Sequence, residues 1–397
     1  FDPLGEEGSA YADRLDAAMV LLGRLVAHPT VSAESNLEMI ATLAHLLEDA
    51  GARVEVLLDE TGAKANLFAT LGPDRDGGLV LSGHTDVVPA VDADWTSDPF
   101  AMRADDGRLY GRGTCDMKGF IACAVAAAPD LADAARDRPV HFAFTHDEEV
   151  GCVGARALCD TLAARGVRPA LALIGEPTEM RVIDGHKGCC EYTTRFHGLS
   201  GHGSDPAAGV NAVEYAARYV ARLLDLREVL KDRAPDPPKF DPPWTTINVG
   251  GITGGTGHNV IAGHAQVDWE MRPVRAADQA FVKDDLARLC ADVLLPAMRA
   301  VHPDAAIDTE VIGEVVGLVP MEDNAARDLL CALTGCGDTG TVAFGTEAGL
   351  FQELGMSAVV CGPGSIAQAH KPDEYVEVAE LARCLDLLAA LPARLAA

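Results

Sequence analysis

The sequence predicts an α/β fold: a mostly parallel catalytic sheet with helices on both faces, plus an inserted ferredoxin-like α+β domain. Three observations predict it. Apolar runs of strand length alternate with helical spacing as far as Lys187. Beyond Lys187 the order becomes β-α-β-β-α-β. Metal-seeking residues follow several apolar runs of the first part and return only at His370.

Taken in order, Leu15, Met19, Leu22 and Leu25, then Leu37, Ile40, Leu43 and Leu46, have helical spacing, with a break around Pro29. Strands are expected at Val54–Leu58, Ala65–Leu71, Gly78–Gly83, Val140–Thr145 and Ala170–Gly175. Helices are expected at Gly119–Ala128 and Gly154–Ala164. In the insertion, strands are expected at Cys190–His197, Thr246–Gly250, Ala265–Met271 and Ile307–Ile312. Helices are expected at Asn211–Leu230 and Ala276–Arg299, and a Pro-rich loop at 233–243. The expected domains are therefore 1–187 with 313–397, and 188–312.

The 397 residues allow two or three domains with ample core. The net charge of −28 argues against nucleic acid and anionic membranes as partners, since both call for clustered Lys and Arg. It fits solubility or a salt-adapted proteome. No apolar run approaches a membrane span. The acidic opening lacks a secretion pattern. Eleven cysteines without a C-x-x-C pair point to reduced thiols, most of them small core residues, in a cytoplasmic protein.

Five short stretches carry the chemistry. In Leu81-Ser-Gly-His84-Thr-Asp86, alternate residues of an extended chain point the same way, so Asp86 can hold the ring nitrogen of His84 that faces away from a metal. A hydrogen-bonded surface histidine is the plainer alternative. Asp116 lies in the glycine-rich Gly111-Arg-Gly-Thr-Cys-Asp-Met-Lys-Gly119, where it either bridges two cations or caps the next helix. Glu148 and Glu149 follow the apolar run His141–Thr145. Buried unpaired they are costly; a metal relieves one, and the other is left as a general base. A solvated acidic turn is the alternative. Glu176 ends another apolar run, and His370 precedes Pro372. Five such coincidences indicate a metal site. Carboxylate-rich ligation without thiolate suggests zinc, with cobalt or manganese in its place. Each of two ions would take one His, one terminal carboxylate and a share of Asp116. The chain has no H-E-x-x-H, Walker A or G-x-S-x-G motif. Gly362-Pro-Gly-Ser-Ile-Ala367 fits a loose dinucleotide fingerprint, but Pro363 and Pro372 argue against it.

These residues resemble the metal-dependent aminoacylase and carboxypeptidase family of co-catalytic zinc hydrolases. The likeness extends from Leu22 to the C-terminus. It includes Asp116-Met-Lys-Gly-Phe, Asp147-Glu-Glu-Val-Gly-Cys, Gly175-Glu-Pro-Thr, Phe344-Gly-Thr-Glu-Ala-Gly349 and Cys361-Gly-Pro-Gly-Ser-Ile-Ala-Gln-Ala-His-Lys-Pro-Asp-Glu-Tyr375. The resemblance implies two Zn2+ per subunit held by His84, Asp116, Glu149, Glu176 and His370, with Asp116 bridging. It implies Glu148 as general base and then proton donor, and Asp86 as the group orienting His84. It implies that the insertion is a lid and homodimerisation domain whose His202 stabilises an oxyanion. The family's His-Ser-Ser is His-Gly-Ser in this chain. Asn259 and Arg272 match positions that hold a substrate carboxylate. Thr346 and Glu347 are expected to contact the substrate, Glu347 through its cationic group. The implied reaction is hydrolysis of N2-acetyl-L-ornithine to acetate and L-ornithine. N-acetylcitrulline, a succinyl-diaminopimelate or a dipeptide are alternative substrates, and a non-catalytic scaffold is a remote one.

Overall fold

A computed structural model describes residues 6–91, 94–135 and 137–395. Phe1–Gly5, part of the acidic opening read above, lie outside the described residues. The chain divides into two compact units: Phe1–Asp184 with Pro320–Gly340 and Thr346–Ala397, and Gly185–Val319 with Thr341–Gly345. The second unit is thus wider than the insertion expected at 188–312, and it takes in the separate segment Thr341–Gly345.

The first unit is built on the strands Arg53–Leu58, Ala65–Leu71, Val140–Thr145, Leu79–His84, Leu171–Pro177 and Ser357–Gly362, hydrogen-bonded in that order. Leu79–His84 runs parallel to both its neighbours, and Ser357–Gly362 extends the parallel set. Arg53–Leu58 and Ala65–Leu71 add an antiparallel margin. Every residue of Leu79–His84 and Val140–Thr145 is buried. Helices cover both faces of such strands, so they read as continuous apolar runs rather than alternations. The parallel strands bring their carboxyl ends to one side of the sheet, where ligands gather in such folds.

Lys118–Ala126 is the central helix of this unit and is buried almost all round. It packs against Glu6–Val26 and Val378–Leu395. Lys118 is buried too, and its Nζ donates to the carbonyls of Leu25 and His28 at 3.0 and 2.8 Å. The Lys118 amine thereby gives a second donor to two carbonyls at the end of the first helix, each of which also accepts a backbone N–H. Phe120 stacks so closely on the sheet that a Cβ on Gly175 would lie 1.8 Å from its ring. Glycine at 175 therefore fixes how near the helix after Asp116 sits to the strand carrying Glu176.

One thiol expectation is corrected. Cys331 and Cys336 form a disulfide, with Cα atoms 4.8 Å apart. The helix Ala325–Thr334 ends on Gly335 in the left-handed conformation. That reversal folds Cys336 back onto the last turn. Nine other cysteines are free, and most are buried in the core.

The second unit has four antiparallel strands in the order Thr246–Gly254, His264–Arg272, Cys189–His197, Ala306–Val315. With the helices Ala212–Lys231 and Ala276–Arg288, this is the ferredoxin-like order expected. Alternate residues Ala265, Val267, Trp269 and Met271 are buried. They share a core with Tyr219, Leu223 and Leu286 of the helices. The single long helix expected at Ala276–Arg299 instead passes through a π-helical segment, Leu289–Leu294. Among the described residues, no helix is long and apolar enough to cross a membrane.

Candidate metal centre

The five candidate ligands all lie in the first unit, four of them at or beyond strand carboxyl ends. His84 closes Leu79–His84, and Glu148 and Glu149 follow Val140–Thr145. Glu176 is near the end of Leu171–Pro177, and His370 lies on the loop after Ser357–Gly362. Asp116 sits on the glycine turn before the central helix. Its carboxylate does not cap that helix, whose N-cap is Met117.

Asp116 stands between the two histidines. Its Oδ1 is 3.0 Å from His84 Nε2, and its Oδ2 is 3.3 Å from His370 Nε2. Glu176 Oε1 lies 3.7 Å from His84 Nε2. Glu149 Oε2 lies 3.1 Å from His370 Nε2. One His and one terminal carboxylate thus stand on either side of a shared Asp. His84 Nδ1 donates to a backbone carbonyl, that of Asp86, at 2.8 Å. In the neutral ring, the form that binds a metal, that bond leaves Nε2 as the lone-pair nitrogen facing the carboxylates. His370 holds a left-handed backbone (φ +63°), uncommon outside glycine and Asn or Asp.

The charge balance of this cluster favours a cation. Glu176 Oε1 is buried with no hydrogen-bond partner among the described residues. Burial, together with Glu149, Asp86 and Asp116, pushes the Glu148 carboxyl up to about 8 against the pull of His84. Burial and Asp116 likewise raise Glu149 and Glu176. Burial disfavours the charged form of His84, yet the carboxylates around it, Asp116 first, drive its pKa well above the usual value. Hydrogen bonds to Asp116 and Glu149 push His370 up to about 10. Burial opposes ionisation of Asp116, but the two histidines hold it well below the usual carboxylate range. A divalent cation relieves such crowding and favours the ionised carboxylates. The donor set and the orphaned oxygen therefore fit metal ions.

Asp86 acts differently from the expectation. Its carboxylate is 3.6 Å from His84 Nδ1, and the shorter bond goes to its own main-chain oxygen. The carboxylate instead accepts from the backbone N–H of Glu148 at 3.0 Å and of Glu149 at 3.2 Å, and from Ser32 Oγ at 2.7 Å. It therefore holds the turn that presents both acids.

Two further expectations are corrected. Thr346 and Glu347 are fully buried. The Thr346 hydroxyl accepts from Ala348 N at 3.1 Å, at the start of the helix Ala348–Glu353. Glu347 accepts from Ser82 Oγ and, at 2.8 Å, from Thr145 Oγ1. These bonds tie the buried Glu347 to two strands beneath the candidate ligands, so its carboxylate is already partnered.

The remaining candidates lie in the second unit. His202 is exposed, and its Nδ1 accepts from Ser204 N at 3.2 Å. The proton is thereby placed on Nε2. His202 pairs with Val260 across a two-residue ladder, and Gly203 N donates to Asn259 O at 2.7 Å. A Cβ on Gly203 would lie 2.9 Å from the Asn259 backbone, so glycine in His-Gly-Ser permits this close approach. Asn259 is exposed. Arg272 is half-buried, pairs with Glu270 at 3.0 Å, and lines a cavity of about 630 Å³ with Lys187, Phe240, Asp241 and Phe344.

Residues 80–394 match the family model described as Peptidase family M20/M25/M40. The chain is 38% identical over 360 residues to the acetylornithine deacetylase of Klebsiella pneumoniae, covering 89% of this chain and 91% of that protein. It is 37% identical over 372 residues to the acetylornithine deacetylase of Photorhabdus laumondii, covering 92% and 94%. Among solved structures, an M20 family metallo-carboxypeptidase from Sulfolobus solfataricus superposes with a TM-score of 0.71 at 17% identity, covering 95% of this chain and 99% of that one.

Proposed function

The chain belongs to peptidase family M20/M25/M40, and on that premise we propose that it removes the acetyl group from N2-acetyl-L-ornithine, giving acetate and L-ornithine. The observation that carries the chemistry is the two-sided placement of Asp116 between His84 and His370, each flanked by its own glutamate. The substrate rests on the two acetylornithine deacetylases to which the chain is similar.

His84, Asp116 and Glu176 would hold one divalent ion and His370, Glu149 and Asp116 a second, zinc being the expected metal. Ions held there would supply Lewis-acid polarisation of the scissile carbonyl. Glu148, held by the Asp86 carboxylate through its backbone N–H, takes a proton from the attacking water. It then delivers that proton to the leaving α-amine as the C–N bond breaks, so that amide and water become acetate and amine. Asp86 fixes the turn on which Glu148 stands.

The second unit supplies the lid and homodimer contacts in this proposal. His202, with Nε2 as its donor, suits a developing oxyanion. Arg272 and Asn259 would receive the substrate α-carboxylate. The test is amine release from N2-acetyl-L-ornithine beside N-acetyl-L-citrulline, N-succinyl-diaminopimelate and a dipeptide. Preferential turnover of acetylornithine supports the proposal. Preference for another substrate keeps the metal chemistry and removes the substrate assignment.

A further inference from the structure

Beyond the ligands, one buried ion pair touches both sides of the cluster. Arg112 and Glu374 are each 1% exposed, and Arg112 Nη1 donates to Glu374 Oε2 at 2.8 Å. A buried pair of this kind contributes little net stability, because desolvation offsets the attraction. Its hydrogen bonds point to another role. Glu374 Oε2 accepts from Gly113 N at 3.0 Å. Its Oε1 accepts from Cys115 N at 3.0 Å and from Asp116 N at 3.2 Å. Gly111 N donates to the Glu374 carbonyl at 2.9 Å. Four backbone N–H groups of the turn that presents Asp116 therefore end on this one residue.

Glu374 is also on the loop that carries His370. Arg112 reaches the Lys371 carbonyl at 3.4 Å and the Pro89 carbonyl at 3.3 Å, and its guanidinium lies 5.1 Å from the Trp95 ring. Thr96 adds two bonds of 3.0 Å to Asp373 Oδ1. Asp116 and His370 are far apart in sequence, and this clamp joins the turns that hold them.

We propose that Glu374 is a positioning residue for the metal centre, fixing with Arg112 the placement of Asp116 relative to His370. It touches neither metal nor substrate; it sets the distance over which the shared carboxylate and the second histidine meet. The proposal rests on the metal reading above.

The test uses the full chain, stripped of metal and titrated with Co2+, followed by calorimetry and by visible d–d absorption. In Glu374→Gln the amide offers one acceptor oxygen and turns N–H groups toward N–H donors. Affinity for at least one of the two ions should fall by about tenfold or more, the range for groups that orient ligands. The d–d bands should shift while far-UV circular dichroism of the metal-free protein stays that of wild type. A merely structural role would lower the melting temperature and leave the spectrum of the folded, loaded protein unchanged. Unchanged affinity and spectrum in Glu374→Gln overturn the proposal. If that variant does not fold, Arg112→Lys gives the same readout: it keeps the charge but loses the planar fork, and a wild-type spectrum and affinity there overturn the proposal equally. A wild-type chain that binds no Co2+ refutes the metal reading itself, a separate outcome.

Discussion

Replacing Asp86 by Asn separates two accounts of that residue. If its carboxylate oriented His84, the change would weaken metal binding by about 10–100-fold. In the structure His84 Nδ1 is held by the Asp86 main-chain carbonyl at 2.8 Å, and the substitution leaves that bond in place. What it disturbs is the pair of carboxylate oxygens serving Glu148 N at 3.0 Å, and Glu149 N at 3.2 Å with Ser32 Oγ at 2.7 Å. The amide keeps one acceptor and turns its NH2 toward a donor, so at least one charge-assisted bond, worth roughly 1.5–3 kcal/mol, is lost. The turn then relaxes, and Glu148 moves with it. A misplacement near 1 Å costs about 10²-fold in rate. Asp86→Asn should therefore lower kcat by about two orders of magnitude even at saturating zinc, and any loss of zinc affinity should come from the ion that Glu149, on the same turn, would hold. Chelator-competition titration and steady-state kinetics on fully loaded protein measure the two separately. Zinc affinity reduced tenfold or more, with kcat intact at saturating metal, would refute the reasoning and return Asp86 to the imidazole.

Other perturbations give further expected outcomes. Glu148→Gln should retain both ions and lose kcat by about 10²–10⁴-fold, the usual contribution of a positioned acid–base group; a near-normal rate in loaded protein removes Glu148 from the mechanism. Gly175→Ala forces the Phe120 ring away from the sheet, an overpacking worth about 1–3 kcal/mol, and should lower the melting temperature; an unchanged melt contradicts the close contact. His141 is buried against Phe68 and bonded to Thr70, and burial lowers its pKa to about 4. Because the folded value lies below the unfolded 6.5, its stabilising effect is complete above pH 6.5 and is lost as pH falls toward 4, where the unfolded chain takes up the proton first. The loss across that window is about 3 kcal/mol. Denaturant titrations at pH 7 and pH 4.5 should show a smaller drop in His141→Phe than in wild type, and equal drops would contradict the assignment.

Among the elements that sequence pattern located best are continuous apolar runs of strand length. Ala65–Leu71 and Val140–Thr145 fall where expected because both are buried and bounded by turn residues. The two-sided grouping around Asp116 joins candidates that the sequence marked singly, several by the apolar run before them and Asp116 by its glycines. The clamp around it was not. Arg112 and Glu374 are far apart in the chain, and no local pattern marks an Arg that is to be buried. Glu374 stands in the quoted His370-Lys-Pro-Asp-Glu-Tyr run, and a second acid just past a ligand was the one available signal. The Asp86 carboxylate does stand beside His84 Nδ1, at 3.6 Å, but its bonds to the backbone of Glu148 and Glu149 had no signal, because alternation along a strand fixes the side of the chain and not the partner across it. The bonds of Glu347 to Ser82 and Thr145 had no signal either, because those partners lie on strands far from it in sequence.

The measurement closest to the central claim is the rate of amine release from N2-acetyl-L-ornithine as zinc is added stepwise to metal-stripped chain. The proposed reaction predicts negligible rate without metal and a rate that saturates by two equivalents per chain, one on either side of Asp116. A stripped protein that turns over at full rate, or a loaded one that releases no amine from any acylated amino acid offered, would contradict the account.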